Sequence, residues 1–140
     1  MVPTILDILD IPTEGYDFDG RSLLPLLRNE IKQLHSFICA EETFYQYKRA
    51  IRTDKYKYIQ ALSEKSVVCR SCGIVHGGFE ELYNLKEDPE EENNIIENDY
   101  EIAMELRDTL SKWVEHIENK KFEKAKIKEK IKRLRSFDKI

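Results

Sequence analysis

Two cysteines and a histidine stand close together near the middle of this 140-residue sequence, in the stretch CRSCGIVH. Cys69 and Cys72 have the Cys-x-x-Cys spacing at which two thiolates can bind one tetrahedral metal ion, and the glycine that follows lets the backbone turn toward it. The sequence contains no second Cys-x-x-Cys. A zinc site would therefore need another ligand, for which His76, Cys39 and His35 are the candidates. We predict Cys69, Cys72 and His76 as the metal-site residues.

Two other interpretations of the cysteine pair stay open. Cys-x-x-Cys can form a reversible disulfide, and two cysteines in a loop can also simply remain reduced. The sequence has three cysteines, an odd number that argues against a disulfide framework and favours a reducing compartment. The N-terminus lacks the basic flank of a signal peptide, and no apolar run is long enough to span a bilayer. We therefore expect a cytoplasmic protein.

An acidic cluster follows the cysteines, in the stretch EELYNLKEDPEEENNI. Such a cluster could bind a cation or take part in catalysis. Asp88, Pro89 and Glu91 instead have the spacing of a capping box with proline at the first helical position, and Asn98 and Glu101 form a second such box. The spacing predicts that these carboxylates begin helices, where negative charge is also favoured by the helix dipole.

The elements that would position these residues indicate an α+β fold. VPTILDILDIP and SLLPLLRNE predict two short N-terminal helices, the second capped by Ser22. From His35 onward, alternating polar and apolar residues predict a small antiparallel sheet of about four strands. The strands fall in HSFICAEE, KRAIRT, KYKYIQ and FEELYNL. A long helix packed on this sheet follows, with one apolar face formed by Ile102, Leu106, Leu110, Trp113 and Ile117.

The charge is unevenly distributed along the chain. The net charge is −4, yet residues 120–139 contain ten basic residues against three acidic ones. This segment has high helix propensity and predicts a basic C-terminal helix. A basic helix can bind nucleic acid or an anionic membrane surface. A solvated helix face is the favoured interpretation, so we expect neither nucleic acid nor membrane as a partner.

Five segments together resemble a known family. VPTILDILDIP, DGRSLLPLL, RAIRTDKYKYI, ELYNLKEDPEEENNI and MELRDTLSKWV occur in this order between Val2 and Val114. They resemble the region near the C-terminal end of sulfatases of the arylsulfatase type, members of the alkaline phosphatase superfamily. The family pattern Asp-Pro-x-Glu-x-x-Asn falls on Asp88, Pro89, Glu91 and Asn94.

The resemblance implies a division of labour. In such enzymes a large N-terminal α/β domain holds the chemistry, and a smaller domain has a four-stranded antiparallel sheet with a packed helix. The nucleophile is a formylglycine made in a Cys/Ser-x-Pro-x-Arg motif, and a divalent cation such as calcium is held by upstream Asp and Asn residues. No proline of this sequence has Cys or Ser two residues before it. We therefore predict no catalytic residues and no cofactor site of the family type here, and an inactive chain in isolation.

The resulting hypothesis divides the chain into three parts. Residues 1–34 would form a helical segment that packs on a missing catalytic domain, 35–118 the sulfatase C-terminal α+β subdomain, and 119–140 a basic helical tail. The function would be that of the C-terminal subdomain of a sulfatase-like hydrolase, which performs sulfuric ester hydrolysis when complete. The expected partner is a sulfatase N-terminal catalytic domain or partner chain, or a second copy through self-association. A stand-alone protein-interaction module derived from this fold, and the tail of a phosphate or phosphonate ester hydrolase, are the alternatives.

Overall fold

The computed structural model describes residues 1–137, without the side chains of residues 64, 66 and 133–137. The chain divides into two compact units, Met1–Phe37 and Ile38–Ile140. The functional division at residues 34 and 118 stays a prediction, and the last three residues of the predicted basic tail lie outside the described part. Between residues 1 and 137, no helix combines the length and the apolar composition that a membrane span requires.

The N-terminal unit contains the two predicted short helices, α1 (Val2–Ile8) and α2 (Leu24–Leu27). The hydroxyl of Thr4 is buried, and its Oγ1 accepts a hydrogen bond from the N–H of Leu23 at 3.1 Å. The Oγ of Ser22 accepts the first N–H of α2, also at 3.1 Å. A polar contact thus joins the two helices. Most apolar side chains of α1 and of the residue after it are exposed, namely Val2, Ile5, Ile8 and Leu9.

The second unit is built on a four-stranded antiparallel sheet with the strand order β1-β2-β3-β4. Each strand pairs with its neighbour in sequence, as the alternating pattern of apolar residues predicts. The strands are β1 (Ile38–Glu42), β2 (Lys48–Arg52), β3 (Tyr56–Ala61) and β4 (Glu80–Asn84). The sheet, the short helices and the long helix described next confirm the predicted α+β class.

Helix α3 (Tyr100–Phe137) packs across β2 and β3. Cross-strand partners lie on the same face of a sheet, and the register aligns Ile51, Tyr58 and Leu82 in one row. All three are fully buried, as are Ala103 and Leu110 of α3. Burying a large apolar side chain contributes about 1.5–3 kcal/mol, so this row and the helix above it form the core of the unit.

The second half of α3 carries no comparable packing. From residue 121 to residue 132, the last side chain described, every residue is exposed. Phe122, Ile127 and Ile131 are exposed along with the lysines between them. The predicted basic helix is therefore continuous with the helix that packs on the sheet, and its described side chains lie in solvent.

One predicted helix is wrong. The chain forms turns and irregular structure from Leu85 to Asp99, so the capping box expected at Asp88 does not begin a helix. The residue before α3 is Asp99, whose carbonyl accepts the N–H of Ala103 at 3.2 Å. The long helix thus begins one residue later than a cap at Asn98 would require.

Substitution of Leu110 by alanine tests the assignment of the core. Leu110 is 1% exposed, so Leu110→Ala should lower the free energy of unfolding by about 2–5 kcal/mol through lost burial and a cavity. Ile127 lies on the exposed half of the same helix, and Ile127→Ala should change it by less than about 0.5 kcal/mol. Urea unfolding followed by circular dichroism measures both values. Equal losses in the two variants would contradict the assignment.

Candidate functional site

The cysteines lie on a small hairpin, which we call the cysteine hairpin (residues 67–76). Val68 and Val75 form a β-bridge, and the N–H of Cys69 donates to the carbonyl of Ile74 at 2.9 Å. The turn between them closes where the N–H of Gly73 donates to the carbonyl of Cys69 at 2.8 Å. Gly73 has φ +71°, a left-handed conformation that favours glycine. The glycine after the second cysteine therefore makes the turn, as the sequence predicts.

The hairpin brings the three predicted ligand residues together. The sulfur atoms of Cys69 and Cys72 and one imidazole nitrogen of His76 all lie within 4.8 Å of one another. Cys72 Sγ and His76 Nε2 are 3.0 Å apart, a hydrogen-bonding distance for sulfur and nitrogen. Cys39 is not a member of this group. It lies on β1 opposite Ile51, on the sheet face that α3 covers.

The cysteines differ in their readiness to lose a proton. Backbone N–H groups of Cys72 and Ser71 hydrogen-bond to the sulfur of Cys69 and lower the pKa of its thiol, with a further contribution from the Cys72 side chain. Burial raises the pKa of the Cys39 thiol to about 11. Since the thiolate is the form that binds metals and attacks electrophiles, the hairpin holds the more reactive thiol and the sheet the less reactive one.

A buried ion pair between two strands of the sheet supports the cysteine hairpin. Lys48 Nζ lies 2.9 Å from Glu81 Oε1, and the two side chains are only 12% and 6% exposed. Lys48 also donates to the carbonyl of His76 at 2.8 Å. The second oxygen of Glu81 accepts the hydroxyl of Tyr83 at 2.7 Å, and burial followed by this bond raises the pKa of Tyr83. The sheet therefore fixes the backbone of the residue that carries the imidazole.

Further contacts attach the hairpin to the connection between β1 and β2. Gln46 donates through Nε2 to the carbonyl of Val67 at 2.8 Å. The N–H of Arg70 donates to the carbonyl of Tyr45 at 3.0 Å, and its guanidinium lies 4.3 Å from the ring centre of Tyr47. The exposed ligand side chains thus stand on a backbone that is held at several points.

Gly77 is required next to this ion pair. Its φ is +72°, and a Cβ at this position would lie 2.3 Å from Glu81 Oε1. The carboxylate cannot move aside cheaply, since Lys48 and Tyr83 both hold it. Sequence reasoning missed Lys48 and Glu81, because charged residues that alternate with apolar ones in a strand predict a solvated face.

The acidic cluster has a structural task that differs from the predicted one. The carboxylate of Asp88 accepts the N–H groups of Glu92 and Asn93, at 3.1 and 2.8 Å. Glu91 adopts φ +59° and forms an ion pair with Lys57 of β3. These side chains close a loop and fasten it to the sheet. The ammonium group of Lys57 is occupied by this pair.

Asn94 completes the same loop on the outer edge of β4. Its Oδ1 accepts the N–H of Leu82 at 2.9 Å and its Nδ2 donates to the carbonyl of Glu80 at 3.3 Å. The N–H of Ile95 donates to the carbonyl of Leu82 at 2.9 Å. An edge strand exposes unpaired backbone groups, and here the asparagine side chain pairs with them. The side chains of Asp88, Glu91 and Asn94, which belong to the family pattern, therefore all hold this loop in place.

Comparison with known proteins agrees with this architecture, although no protein-family model matches the sequence. A curated "ulvan-active sulfatase" of Formosa agariphila is 30% identical over 70% of this chain and 24% of its own length. A protein of Bacteroides thetaiotaomicron assigned as a sulfatase has a crystal structure that matches 83% of this chain and 24% of its own, with 28% identity and a TM-score of 0.63. A structure in complex with "its substrate D-Glucosamine-2-N, 6-O-disulfate" matches 84% and 22%, with 25% identity and a TM-score of 0.56.

These matches define the class of the chain as a sulfatase-like α+β region. More particularly, they confirm the resemblance to the C-terminal region of sulfatases that the five sequence segments predict. The chain spans about a quarter of the length of the relatives that it matches.

Thiol labelling should separate the cysteines. In reduced, metal-free protein at pH 8, a pKa of about 11 leaves about one Cys39 in a thousand as thiolate. Cys69, whose pKa is lowered, should react with iodoacetamide at least about tenfold faster. Mass spectrometry of peptides after timed quenching measures each rate, and Cys69→Ser removes the fast site. Equal rates at Cys39 and Cys69 would refute the difference in their environments.

Alanine at Gly77 should destabilise the protein more than alanine at Gly73. Both residues have positive φ, and nothing lies within 4 Å of a Cβ at Gly73. Gly73→Ala should therefore cost about 1–2 kcal/mol of unfolding free energy through backbone strain alone. Gly77→Ala should cost about 3–5 kcal/mol, because it also displaces one partner of a buried ion pair.

Removal of the carboxylate provides the control for this comparison. In a Glu81→Ala background the steric conflict is absent, so Gly77→Ala should add no more than Gly73→Ala does. Chemical denaturation of the single and double variants gives the coupling free energy. A coupling of zero would show that the Glu81 carboxylate does not constrain residue 77.

Proposed function

We propose that this chain serves as the C-terminal α+β subdomain of a sulfatase-like hydrolase, with sulfuric ester hydrolysis performed by residues outside it. The three relatives are each about four times as long as their matched segment. The sequence has no Cys/Ser-x-Pro-x-Arg motif. A nucleophile for the reaction would then come from a separate region of a complete enzyme.

The residues of the family pattern contact other parts of this same chain, and this observation carries the proposal. Asp88 accepts two backbone N–H groups, Glu91 pairs with Lys57, and Asn94 bonds to the edge of β4. A carboxylate that acts as a general base or cation ligand needs free lone pairs directed at a reactant. The three side chains instead direct theirs at their own backbone and sheet, which suits a scaffold.

The cation of the complete family enzyme would also lie elsewhere. Calcium binds through six to eight oxygen atoms. Within the part of the chain that the structure describes, the group of His, Cys, Asp and Glu side chains close enough to share an ion is Cys69, Cys72 and His76. Two sulfurs and an imidazole do not fit a hard cation, so no step of the reaction is assigned to calcium in this chain.

The size of enzymatic rate enhancements supports the same division between this chain and a separate catalytic region. Enzymes lower barriers by about 8–23 kcal/mol. One well-placed general acid or base contributes about 10²- to 10⁴-fold in rate. Cys72 and His76 place one thiol beside one base, and a single pair of this kind supplies only a fraction of the required stabilisation.

The N-terminal residues suit contact with a catalytic region. Ile5, Ile8 and Leu9 are each at least half exposed, and apolar side chains on one short helix favour burial against another surface. We assign residues 1–34 to this contact, 35–118 to the subdomain and 119–140 to a basic extension. Either a catalytic domain or a separate chain could supply the opposing surface.

The substrate class proposed for the complete enzyme is a sulfate ester of a sugar. One matched structure contains a sulfated glucosamine as its substrate. The relatives described as sulfatases favour this class over the phosphate or phosphonate esters of the wider superfamily. The sulfated sugar would bind mainly to residues outside this chain.

The purified chain should not hydrolyse an aryl sulfate, with or without added calcium, because its sequence lacks the Cys/Ser-x-Pro-x-Arg motif in which the nucleophile of the family is made. Product release by a homogeneous sample is compared with a buffer blank and with a complete sulfatase assayed in parallel. Turnover that saturates with substrate and follows the protein through gel filtration would overturn the proposal.

A second arm of the experiment separates the subdomain from the stand-alone interaction module. The chain is co-expressed with a neighbouring coding region that carries the Cys/Ser-x-Pro-x-Arg motif. Ile127 is a comparably exposed position on α3. Loss of co-purification in Ile5→Asp, with co-purification kept in Ile127→Asp, supports the subdomain. The absence of such a neighbouring coding region favours the module.

A further inference from the structure

We propose that Cys69, Cys72 and His76 bind one zinc ion, which stabilises the cysteine hairpin. The proposal does not depend on sulfatase function. It lies on residues 67–76, between β3 and β4. Binding replaces the protons of the two thiols by metal–sulfur bonds, so about two protons are released for each ion bound at a pH where both thiols are protonated.

The distances between the ligand atoms suit one zinc ion. With Zn–S bonds of about 2.3 Å and Zn–N bonds of about 2.0 Å, a tetrahedral ion sets its ligand atoms about 3.6–3.8 Å apart. The three atoms lie within 4.8 Å of one another, and Cys72 Sγ is 3.0 Å from His76 Nε2. Adjustments of about 1 Å by exposed side chains would reach the tetrahedral distances.

The chemistry of the ligand atoms also suits zinc. Thiolate sulfur and imidazole nitrogen are the donors that zinc prefers in proteins, whereas calcium and magnesium prefer oxygen. Two thiols and one imidazole therefore match zinc better than they match calcium or magnesium.

The backbone of the cysteine hairpin is already in position for metal binding. The turn has its left-handed glycine, the bridge from Val68 to Val75 aligns its two arms, and Lys48 fixes the carbonyl of His76. Little ordering of the chain would then oppose metal binding. His76 supplies the third ligand that the Cys-x-x-Cys motif lacks, and the exposure of Cys72 and His76 leaves the fourth position to water.

Metal titration of the full chain tests the proposal. The protein is reduced, stripped with a chelator and titrated with Co²⁺ and then Zn²⁺ in the absence of phosphate. We expect one ion per chain, a sulfur-to-cobalt charge-transfer band that Zn²⁺ removes, and no competition by Ca²⁺. Hydrogen exchange of the amides from Cys69 to His76 should slow when zinc binds.

Three variants and a matched control locate the ligands. Cys69→Ser, Cys72→Ser and His76→Gln should each weaken zinc binding by about 100-fold or more, since even outer-sphere partners contribute 10- to 100-fold. Cys39→Ser should bind zinc as the wild type does. The unfolding curves of all four variants without metal show whether they fold, so a loss of binding can be separated from a loss of structure.

Several results would overturn the site. One is the absence of stoichiometric binding by the reduced wild type. Another is wild-type affinity in the folded Cys72→Ser variant. A third is a disulfide between Cys69 and Cys72, 2 Da lighter by mass, that persists under conditions that reduce an exposed reference disulfide; this outcome would assign the pair to redox chemistry instead.

Discussion

The buried carboxylate of Glu81 constrains much of the second unit. A charged group removed from water costs several kcal/mol unless other groups compensate it. Lys48 provides the opposite charge and Tyr83 a hydrogen bond. Because the same lysine also bonds to the carbonyl of His76, compensation of this one charge fixes strand β2 against β4 and the cysteine hairpin against both. Gly77 follows from the same requirement, since any side chain there would meet the carboxylate.

The two faces of the sheet have different means of support. On one face, α3 covers the fully buried Ile51, Tyr58 and Leu82, and the ion pair of Arg107 with Glu80 adds to this apolar burial. On the other face, ion pairs and hydrogen bonds hold irregular chain against the strands. In an irregular segment, the backbone N–H and C=O groups lack the hydrogen-bond partners that strands and helices supply. This difference explains why asparagine and acidic residues accumulate between β4 and α3, where Asn94 and Asp88 bond to backbone N–H groups.

The regular elements could be predicted from the sequence, and the tertiary role of single polar residues could not. Period-two alternation gave the four strands, and the spacing from Ile102 to Ile117 gave the helix face that packs on them. The helix expected at Asp88 does not form. Its capping residues have the spacing of a helix start but form a turn, in which the Asp88 carboxylate accepts the N–H groups of the residues four and five positions onward. The partnership of Lys48 with Glu81 crosses an intervening strand, and local spacing carries no information about it. Cys69, Cys72 and His76 were predictable as a group because their contacts are local.

Helix α3 has 38 residues, which corresponds to about 57 Å at 1.5 Å per residue. Its first half is stabilised by the sheet, whereas the residues after Lys120 depend on their own helix propensity. Lysines recur at positions 120, 124, 128 and 132, and like charges four residues apart repel one another along a helix. Counterions screen this repulsion. A higher ionic strength should therefore favour the helical form of this extension.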